Sequence, residues 1–445
     1  MANISVALSG GGHRAALFAL GALQYLADAG KNVEVTSIAS VSGGSLTNGF
    51  VGQTVAYNEV NGSEFQAQVT DRLLSQLTEH GTLFAPKLTK FYLALVGVVL
   101  ASALIGVWFL PGISLGWRVL MCLAGICVAL ALAWFRGAVC RHALRVTLFS
   151  PNGSASKLVD MKPGVDHVLC ATDLQSGDHF YLARDLAYGY QFGTGTPGDT
   201  TMAIAVGASA ALPGAFTPVS IRTAGLGLRN GQAGADAARL HLVDGGVYDN
   251  MADQWASGYR ARTDRLPASY ADRLPDELIV VNASSGAHWS PTSMLGVPIV
   301  GEVKAILRDK SILYDNTTTH RRVALVDRFD LARERGTGMT GTYVGINQSP
   351  FRVARFFKDH ATFGGRARQV LSMLEAAGIS EAAWDQVTRA SDSMSTNLSR
   401  IDQHAASDVV WHAYVLTMCN LHVLLGYPIE PGVPSRDRFA SSPRN

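Results

Sequence analysis

Charged residues are scarce in this sequence, and neither sign dominates. Asp, Glu, Lys and Arg make up 16% of the 445 residues, whereas an average soluble domain contains roughly 25%. Hydrophobic residues reach 48%, a composition that excludes an intrinsically disordered chain. The 37 basic and 35 acidic residues nearly cancel. No bulk field would therefore attract a polyanion, and we expect no nucleic acid partner.

Cysteine is rare as well. The five cysteines show no metal-ligand spacing, which argues against a disulfide scaffold and against a zinc site. The first residues contain no basic stretch ahead of a long apolar segment, so they are not expected to form a secretory signal peptide.

Uncharged residues are concentrated in one long stretch. Between residues 91 and 135 the only charged side chain is Arg118. The segments 91–110 and 117–135 are each close to the ~20 residues that a helix needs to cross a ~30 Å hydrocarbon layer. A Pro-Gly pair between them predicts a turn. We therefore predict a transmembrane or membrane-embedded helical hairpin, with a pair of buried core helices as the alternative.

Short β-branched runs alternate with helical patterns outside this stretch. The predicted strands are 4–9, 35–40, 167–172, 240–243 and 278–282. Strands separated by helices predict an α/β fold with a mostly parallel central sheet flanked by helices. The Gly-rich segments 188–201 and 223–237 are predicted to be surface loops. Segment 411–425 is predicted to be a helix that packs on the sheet or lies in a membrane interface.

Three consecutive glycines follow the first predicted strand and precede a helix pattern. The amides of Gly10, Gly11 and Gly12 could bind a phosphate or the oxyanion of a tetrahedral intermediate. Neither Gly-Lys-Ser/Thr nor the G-x-G-x-x-G spacing is present, which excludes a P-loop and a dinucleotide site. A tight turn with positive φ is the structural alternative.

A serine stands at the end of the second predicted strand. Ser42 lies between a strand and a helix, the setting of a nucleophile elbow, where the residues two before and two after must be small. Here these residues are Ser40 and Gly44. The usual pattern has glycine at the first position, so Ser40 is a departure. An ordinary N-cap serine is the alternative.

An aspartate ends another predicted strand. Asp244 precedes Gly245 and Gly246, and a carboxylate held there could accept a serine proton without an intervening histidine. His241 is three residues earlier on the same strand, so its side chain should point to the opposite face of the sheet. His13 lies within the glycine loop, where its amide matters more than its ring. A Ser-Asp pair is thus preferred over a Ser-His-Asp triad.

These motifs, in this order, resemble those of the patatin-like phospholipase family. The glycine loop continues to Arg14 as G-G-G-x-R, and segments 171–177 and 208–218 are also similar to the family. The resemblance covers about residues 4–285, with the hairpin inserted, and implies a three-layer patatin-like fold. It implies the following roles: Ser42 and Asp244 as catalytic dyad; Gly10, Gly11 and Gly12 as oxyanion hole; Arg14, Gly44 and Gly245 in support.

The resemblance implies a membrane-associated serine acyl hydrolase of the phospholipase A or lysophospholipase type. Such an enzyme cleaves lipid acyl esters through an acyl-enzyme and requires no metal or organic cofactor. Two alternatives stay open: a neutral-lipid esterase or thioesterase on the same scaffold, and a membrane-active effector or scaffold with an inactive domain. The expected partners are a lipid substrate and the bilayer.

The expected organisation is a catalytic domain interrupted by the hairpin. Its two parts are residues 1–90 and 137–300, the hairpin is 91–136, and a C-terminal helical region covers 301–445. Basic residues flank the hairpin on both sides: Lys87, Lys90, Arg136, Arg141 and Arg145. The positive-inside rule then predicts a catalytic domain that faces the cytoplasm.

Overall fold

A computed structural model of the chain describes residues 2–151, 153–232, 237–284, 296–297 and 300–440. Within these ranges ten strands form one sheet. The strands are β1 (Ile4–Leu8), β2 (Val35–Ser40), β3 (Asp166–Asp173), β4 (His179–Leu182), β5 (Ala187–Gly189), β6 (Gly193–Gly195), β7 (Val219–Arg222), β8 (Arg239–Asp244), β9 (Glu277–Asn282) and β10 (Thr340–Gly345).

Fifteen α-helices accompany the strands in the same described ranges. They are α1 (Gly12–Asp28), α2 (Ser42–Thr54), α3 (Gly62–Phe65), α4 (Asp71–Ser75), α5 (Lys87–Leu104), α6 (Leu115–Ala133), α7 (Arg136–Thr147), α8 (Met202–Ser209), α9 (Gly246–Asp249), α10 (Gln254–Ser257), α11 (Val300–Arg335), α12 (Pro350–Phe357), α13 (Gly364–Ala376), α14 (Glu381–Ser393) and α15 (Gln403–Leu425). Short 3₁₀ and π turns complete the chain: Asn32–Glu34, Gln66–Thr70, Gln76–His80, Gly106–Phe109, Leu158–Asp160, Thr223–Gly225, Arg260–Arg265, Ala268–Arg273 and Arg436–Phe439.

The sheet is mixed, which corrects the expected mostly parallel arrangement. Strands β10, β9, β1, β2 and β3 are parallel neighbours in that order, whereas β4, β5, β6, β7 and β8 pair antiparallel. Only the parallel half fits the expected alternation of strands and helices, because parallel strands need long crossover connections. The antiparallel half is made of short strands joined by tight connections, which leave a weaker pattern in the sequence.

The five predicted strands are present as β1, β2, β3, β8 and β9. The prediction of a surface loop at 188–201 is wrong in part, because it contains the end of β5 and all of β6, and Tyr188 is fully buried. The segment 223–237 lies partly outside the described residues. The region after residue 300 is not only helical, since β10 extends the parallel edge of the sheet.

Hydrophobic side chains form a core on each face of the sheet. One core joins β1 and β2 to α1, α2 and α15. Helix α1 is buried from His13 to Ala27 and packs along α15. The other core lies under α10 and the second half of α11. The segment predicted at 411–425 is thus a helix packed inside the protein, because α15 covers α1.

Among the described residues, three helical stretches are long and apolar enough to cross a membrane, judged by length and composition. In the apolar 18-residue window of each stretch, buried residues make up 11% for Lys87–Leu104 and 6% for Leu115–Thr147, whereas they make up 83% for Gln403–Leu425. The first two contain α5 and α6, which pack against each other as the apolar hairpin expected from the sequence. They remain candidate membrane spans. Gln403–Leu425 is apolar because it is α15, which lies in the hydrophobic core.

Candidate active site

The backbone at Ser42 has a conformation that L-residues rarely adopt. Ser42 stands between β2 and α2 with φ of 49°. A positive φ costs a non-glycine residue about 1–2 kcal/mol, and such strain clusters at functional sites. This is the sharp strand-to-helix turn of a nucleophile elbow, which raises the serine side chain above the end of the sheet.

The departure at Ser40 is accommodated beneath the elbow. Its side chain is fully buried. Its Oγ lies 2.9 Å from Ser45 Oγ and accepts a hydrogen bond of 2.8 Å from Asn48 Nδ2. Because the hydroxyl points into this polar cluster, the turn at Ser42 forms without glycine at position 40.

The glycine loop lies directly against the elbow. A Cβ atom placed on Gly10 would come within 3.2 Å of Ser42 Cβ. The amide of Gly10, however, donates a 3.1 Å hydrogen bond to the carbonyl oxygen of Asn250. The predicted set of three oxyanion donors therefore needs a correction, because the Gly10 N–H is already used to hold the loop in place.

Gly43, directly after Ser42, was not among the site residues predicted from the sequence motifs. A Cβ atom on Gly43 would lie 2.0 Å from the carbonyl oxygen of Gly12 and 2.6 Å from its nitrogen. Only glycine lets the elbow and the loop approach this closely. The amide after the nucleophile is a common oxyanion donor in elbow enzymes. The position of Gly43 directly after Ser42 could therefore have identified it from the sequence.

Supporting residues hold the loop and the elbow. Arg14 Nη1 donates to the carbonyl oxygen of Asp392 at 2.6 Å, which ties the loop to the end of α14. The amide of Gly44 donates to the carbonyl oxygen of Ser9 at 3.1 Å. Two of the three predicted supporting residues thus hold the loop and the elbow, and Arg14 also lines the cavity described below.

Strand pairing brings Asp244 next to the elbow. On one edge of β3, Leu169 pairs with Ser40 of β2, and Ala171 pairs with Asp244 of β8. The two pairs are two residues apart along β3, a rise of about 7 Å. β2 and β8 therefore meet end to end, which brings the elbow and the carboxylate to the same point of the sheet.

Hydrogen bonds fix the carboxylate and the backbone around it. Asp244 is 1% exposed, and its Oδ1 accepts a 2.8 Å hydrogen bond from the amide of Gly246. The predicted supporting residue Gly245 has a packing role, since a Cβ atom there would lie 2.3 Å from the carbonyl oxygen of Cys170. Its amide donates to the carbonyl oxygen of Ser209 at 3.2 Å.

One residue contacts both Ser42 and the residue that follows Asp244. Ser209, at the end of α8, accepts through its carbonyl oxygen from Gly245, and its Oγ accepts a 3.2 Å hydrogen bond from the amide of Ser42. Ser209 belongs to a segment that the sequence comparison noted only for its similarity to the family. The structure shows why it matters: it bridges Ser42 and the residue after Asp244.

The two histidines near the sequence motifs, His13 and His241, do not line the cavity that contains Ser42 and Asp244. His13 is buried and lies 2.9 Å from Thr82 Oγ1 through Nε2 and 3.0 Å from the Ser399 carbonyl oxygen through Nδ1. Burial lowers the pKa of His13 to about 4. His241 is exposed, whereas Asp244 on the same strand is buried. Among the described residues that line the cavity, none is a histidine.

A cavity of about 580 Å³ opens above the elbow. Ser42, Gly43, the glycine loop and Asp244 form its floor. Its apolar lining includes Leu46, Cys140, Leu144, Leu212 and Phe216. Helix α11 contributes a polar lining of Arg308, Ser311, Asp315, Thr318 and Arg322. A long apolar chain with a polar head would match this division.

Helix α11 forms a roof over the carboxylate, which the sequence did not predict. A Cβ atom on Gly246 would lie 3.1 Å from Tyr314 Cε1. Burial, together with the nearby Asp244 carboxylate, raises the pKa of Tyr314 above its ordinary value. Arg321 anchors the helix through a 2.8 Å ion pair with Asp253, which follows Asp244 in the chain. The region expected to be a separate helical segment thus helps to enclose the site.

Comparison with known proteins decides the family. The sequence model of the family described as "Patatin-like phospholipase" matches residues 6–252, more than half of the chain. The chain belongs to the patatin-like phospholipase family. Its mixed sheet flanked by helices is the patatin fold, and members of the family are generally lipid acyl hydrolases.

The other comparisons add little. A crystal structure of VipD from Legionella pneumophila aligns with 12% identity over 95% of this chain and 85% of that chain. The TM-score of that alignment is 0.26, which is too low to support an argument. No curated protein matches the chain. In the described residues, no three His, Cys, Asp or Glu side chains cluster as metal ligands would.

Proposed function

We propose that this patatin-like protein is a membrane-associated serine acyl hydrolase of the phospholipase A or lysophospholipase type. The observation that supports it best is the meeting of β2 and β8 on one edge of β3, which brings the strained Ser42 and the buried Asp244 to the floor of one cavity. A serine hydroxyl is a weak nucleophile at neutral pH and needs an adjacent base. Asp244 is the base in this proposal.

The reaction has two steps. Ser42 Oγ attacks the ester carbonyl carbon while its proton passes to Asp244, and the leaving alcohol takes that proton as the C–O bond breaks. Water then attacks the acyl-enzyme, gives a proton to Asp244 and releases the fatty acid as Ser42 recovers its hydrogen. The same carboxylate acts as base and acid in turn.

Main-chain amides stabilise the negative oxygen of each intermediate. The amide of Gly43 lies in the first turn of α2, where the helix dipole is positive. In this proposal the amides of Gly11 and Gly12 are the other donors, whereas Gly10 is excluded by its bond to Asn250. The loss of one such donor typically lowers the rate by ~10²–10³.

The apolar hairpin anchors the enzyme to a bilayer in this proposal. Exposed tryptophans mark both ends of α6: Trp117 is 63% and Trp134 is 68% exposed. The two tryptophans are 17 positions apart, which in a helix is a rise of about 26 Å at ~1.5 Å per residue and close to the ~30 Å of a hydrocarbon core. Tryptophan favours the two membrane interfaces. The basic flanks of the hairpin support a catalytic domain on the cytoplasmic side.

Active-site labelling tests the proposed chemistry. The detergent-solubilised protein is treated with a fluorescent fluorophosphonate, which bonds covalently to activated serines. We expect labelling of the parent and of Ser311→Ala, which removes a cavity serine from an ordinary helix position. Ser42→Ala and Asp244→Asn should remain unlabelled. Labelling of Ser42→Ala at the parental rate would refute the assignment.

A substrate panel separates the types of acyl hydrolase. Fatty acid release is measured from phosphatidylcholine, lysophosphatidylcholine, triacylglycerol and acyl-CoA in the same detergent. Because the polar lining of the cavity contains Arg308 and Arg322, we expect faster cleavage of the phosphate-containing lipids than of triacylglycerol. Preference for triacylglycerol or acyl-CoA would instead favour a neutral-lipid esterase or a thioesterase.

A further inference from the structure

The loop that follows α8 touches both candidate catalytic residues. This segment, residues 209–217, is called the 209–217 loop. The amide of Asp244 donates to the Ala211 carbonyl oxygen at 3.1 Å. Ser209 contacts the amides of Ser42 and Gly245, as described above. The first residues of the loop are therefore part of the frame that positions the dyad.

The other end of the same loop is bound to the base of the apolar hairpin. Arg136 Nε, in the first turn of α7, donates to the Ala215 carbonyl oxygen at 2.9 Å. A Cβ atom on Gly137 would lie 2.2 Å from Thr217 Oγ1. Only Trp134 and Phe135 separate α6 from α7. Nine residues thus connect the candidate dyad to the membrane-facing helices.

The side of the cavity between these contacts is apolar and reaches the surface. Leu212 and Phe216 of the 209–217 loop line the cavity together with Cys140 and Leu144 of α7. Leu212 is also 37% exposed, so it lies where the cavity meets the outside of the protein. Phe135, just before α7, is 57% exposed. This apolar mouth is continuous with the base of the hairpin.

We propose that the 209–217 loop and α7 form a membrane-side mouth, through which the acyl chain of a lipid enters while the lipid stays in the adjacent leaflet. The proposal rests on the proposed function and adds the direction of entry. Transfer of a 16-carbon chain through water would cost roughly 0.8 kcal/mol for each CH₂ group, more than ~10 kcal/mol in total. Lateral entry from the leaflet avoids most of this cost.

Depth-dependent quenching tests the position of the mouth without reference to catalysis. A bimane label is attached to Leu212→Cys in the full chain, with Cys122 and Cys127 of the hairpin changed to alanine. The matched control is Val33→Cys, because Val33 is 51% exposed and precedes β2, at the end of that strand opposite to Ser42. Both proteins are placed in phosphatidylcholine vesicles that contain a lipid with a nitroxide at acyl carbon 5.

We expect quenching at position 212 to be at least about three times that at position 33, because an interfacial apolar site lies ~5–10 Å into the headgroup and acyl boundary. Equal, weak quenching at the two positions would overturn the proposal. This outcome leaves the labelling of Ser42 unaffected. Conversely, absence of Ser42 labelling would refute the hydrolase function while the quenching still reported where the mouth lies.

Kinetics provide a second readout of entry. For Leu212→Lys and Val33→Lys, the rate of phosphatidylcholine hydrolysis in vesicles is divided by the rate of fluorophosphonate labelling in detergent. This ratio corrects for any general disturbance of the site. A charge at the mouth should lower the ratio at least about tenfold for Leu212→Lys, and the control should stay within about twofold. An unchanged ratio for Leu212→Lys would mean that lipids enter elsewhere.

Discussion

Gly43→Ala perturbs the contact between the elbow and the glycine loop and little else. The new Cβ atom would lie 2.0 Å from the Gly12 carbonyl oxygen, whereas ordinary contacts between such atoms begin near ~3.4 Å. The opposing atoms belong to backbone, so no side chain can turn away. The loop must therefore move by at least ~1 Å, and by about 1.4 Å for an ordinary contact, relative to Ser42.

The size of the effect follows from that displacement. A shift of ~1 Å in a catalytic group typically costs ~10²-fold in rate, which corresponds to about 2.7 kcal/mol of transition-state stabilisation. The folded state should suffer less, because alanine favours a helix over glycine by about 1 kcal/mol. This gain offsets part of the steric cost. We expect a large loss of activity with a small change in thermal stability.

The assay is kcat/KM for a soluble short-chain ester, measured with the thermal unfolding midpoint in the same detergent. Gly49→Ala is the matched control, because it lies on the same helix and its new Cβ atom would meet only side chains at 3.0–3.2 Å, those of Met202, Val206 and Phe149, and no backbone. We expect the control to keep kcat/KM within about threefold. Retention of similar activity by Gly43→Ala would refute the argument that the loop and elbow form one oxyanion site.

Three further predictions concern stability and location. Burial lowers the pKa of His412 to about 3, so the unfolded chain binds a proton below pH ~6.5 that the folded chain does not. The free energy of unfolding should therefore fall as pH drops from ~6.5 towards 3. His412→Gln should remove up to about 1.4 kcal/mol of this loss per pH unit. An unchanged slope of unfolding free energy against pH in this variant would contradict the prediction. Arg321→Met leaves the buried Asp253 without its cation and should lower the unfolding free energy by about 3 kcal/mol, whereas Arg436→Met, at an exposed ion pair, should cost less than about 1 kcal/mol. Equal midpoints in thermal unfolding would show that α11 is not anchored there. Replacement of residues 91–135 by a short polar linker should move the protein from the membrane pellet to the supernatant, and continued pelleting with vesicles would contradict the anchor.

Local sequence patterns identified the parts of the candidate site but not how they fit together. Three glycines after a strand, a serine between small residues, and an aspartate before Gly-Gly each describe a turn whose geometry depends on its own few residues. These local predictions place Ser42 at a strained elbow, as the structure has it. The use of the Gly10 amide was missed because its acceptor, Asn250, is 240 residues away in the chain.

The strands that were predicted have stronger sequence patterns than the strands that were missed. β1 and β9 are buried on both faces and read as continuous apolar runs. β5 and β6 have three residues each and are rich in glycine, too short for a period to show. β10 contains two glycines and two threonines, and only pairing with β9 reveals it as a strand.

The amino-acid sequence by itself determined the family, the two apolar spans and the types of residue at each turn. These depend on steric limits and on the length of hydrophobic runs, which are set by neighbouring residues. The tertiary structure alone decided that β2 and β8 meet on one edge of β3, that α11 covers Asp244, and that the 209–217 loop joins the site to the hairpin. Those contacts depend on where distant segments pack, and no short stretch of sequence contains that information.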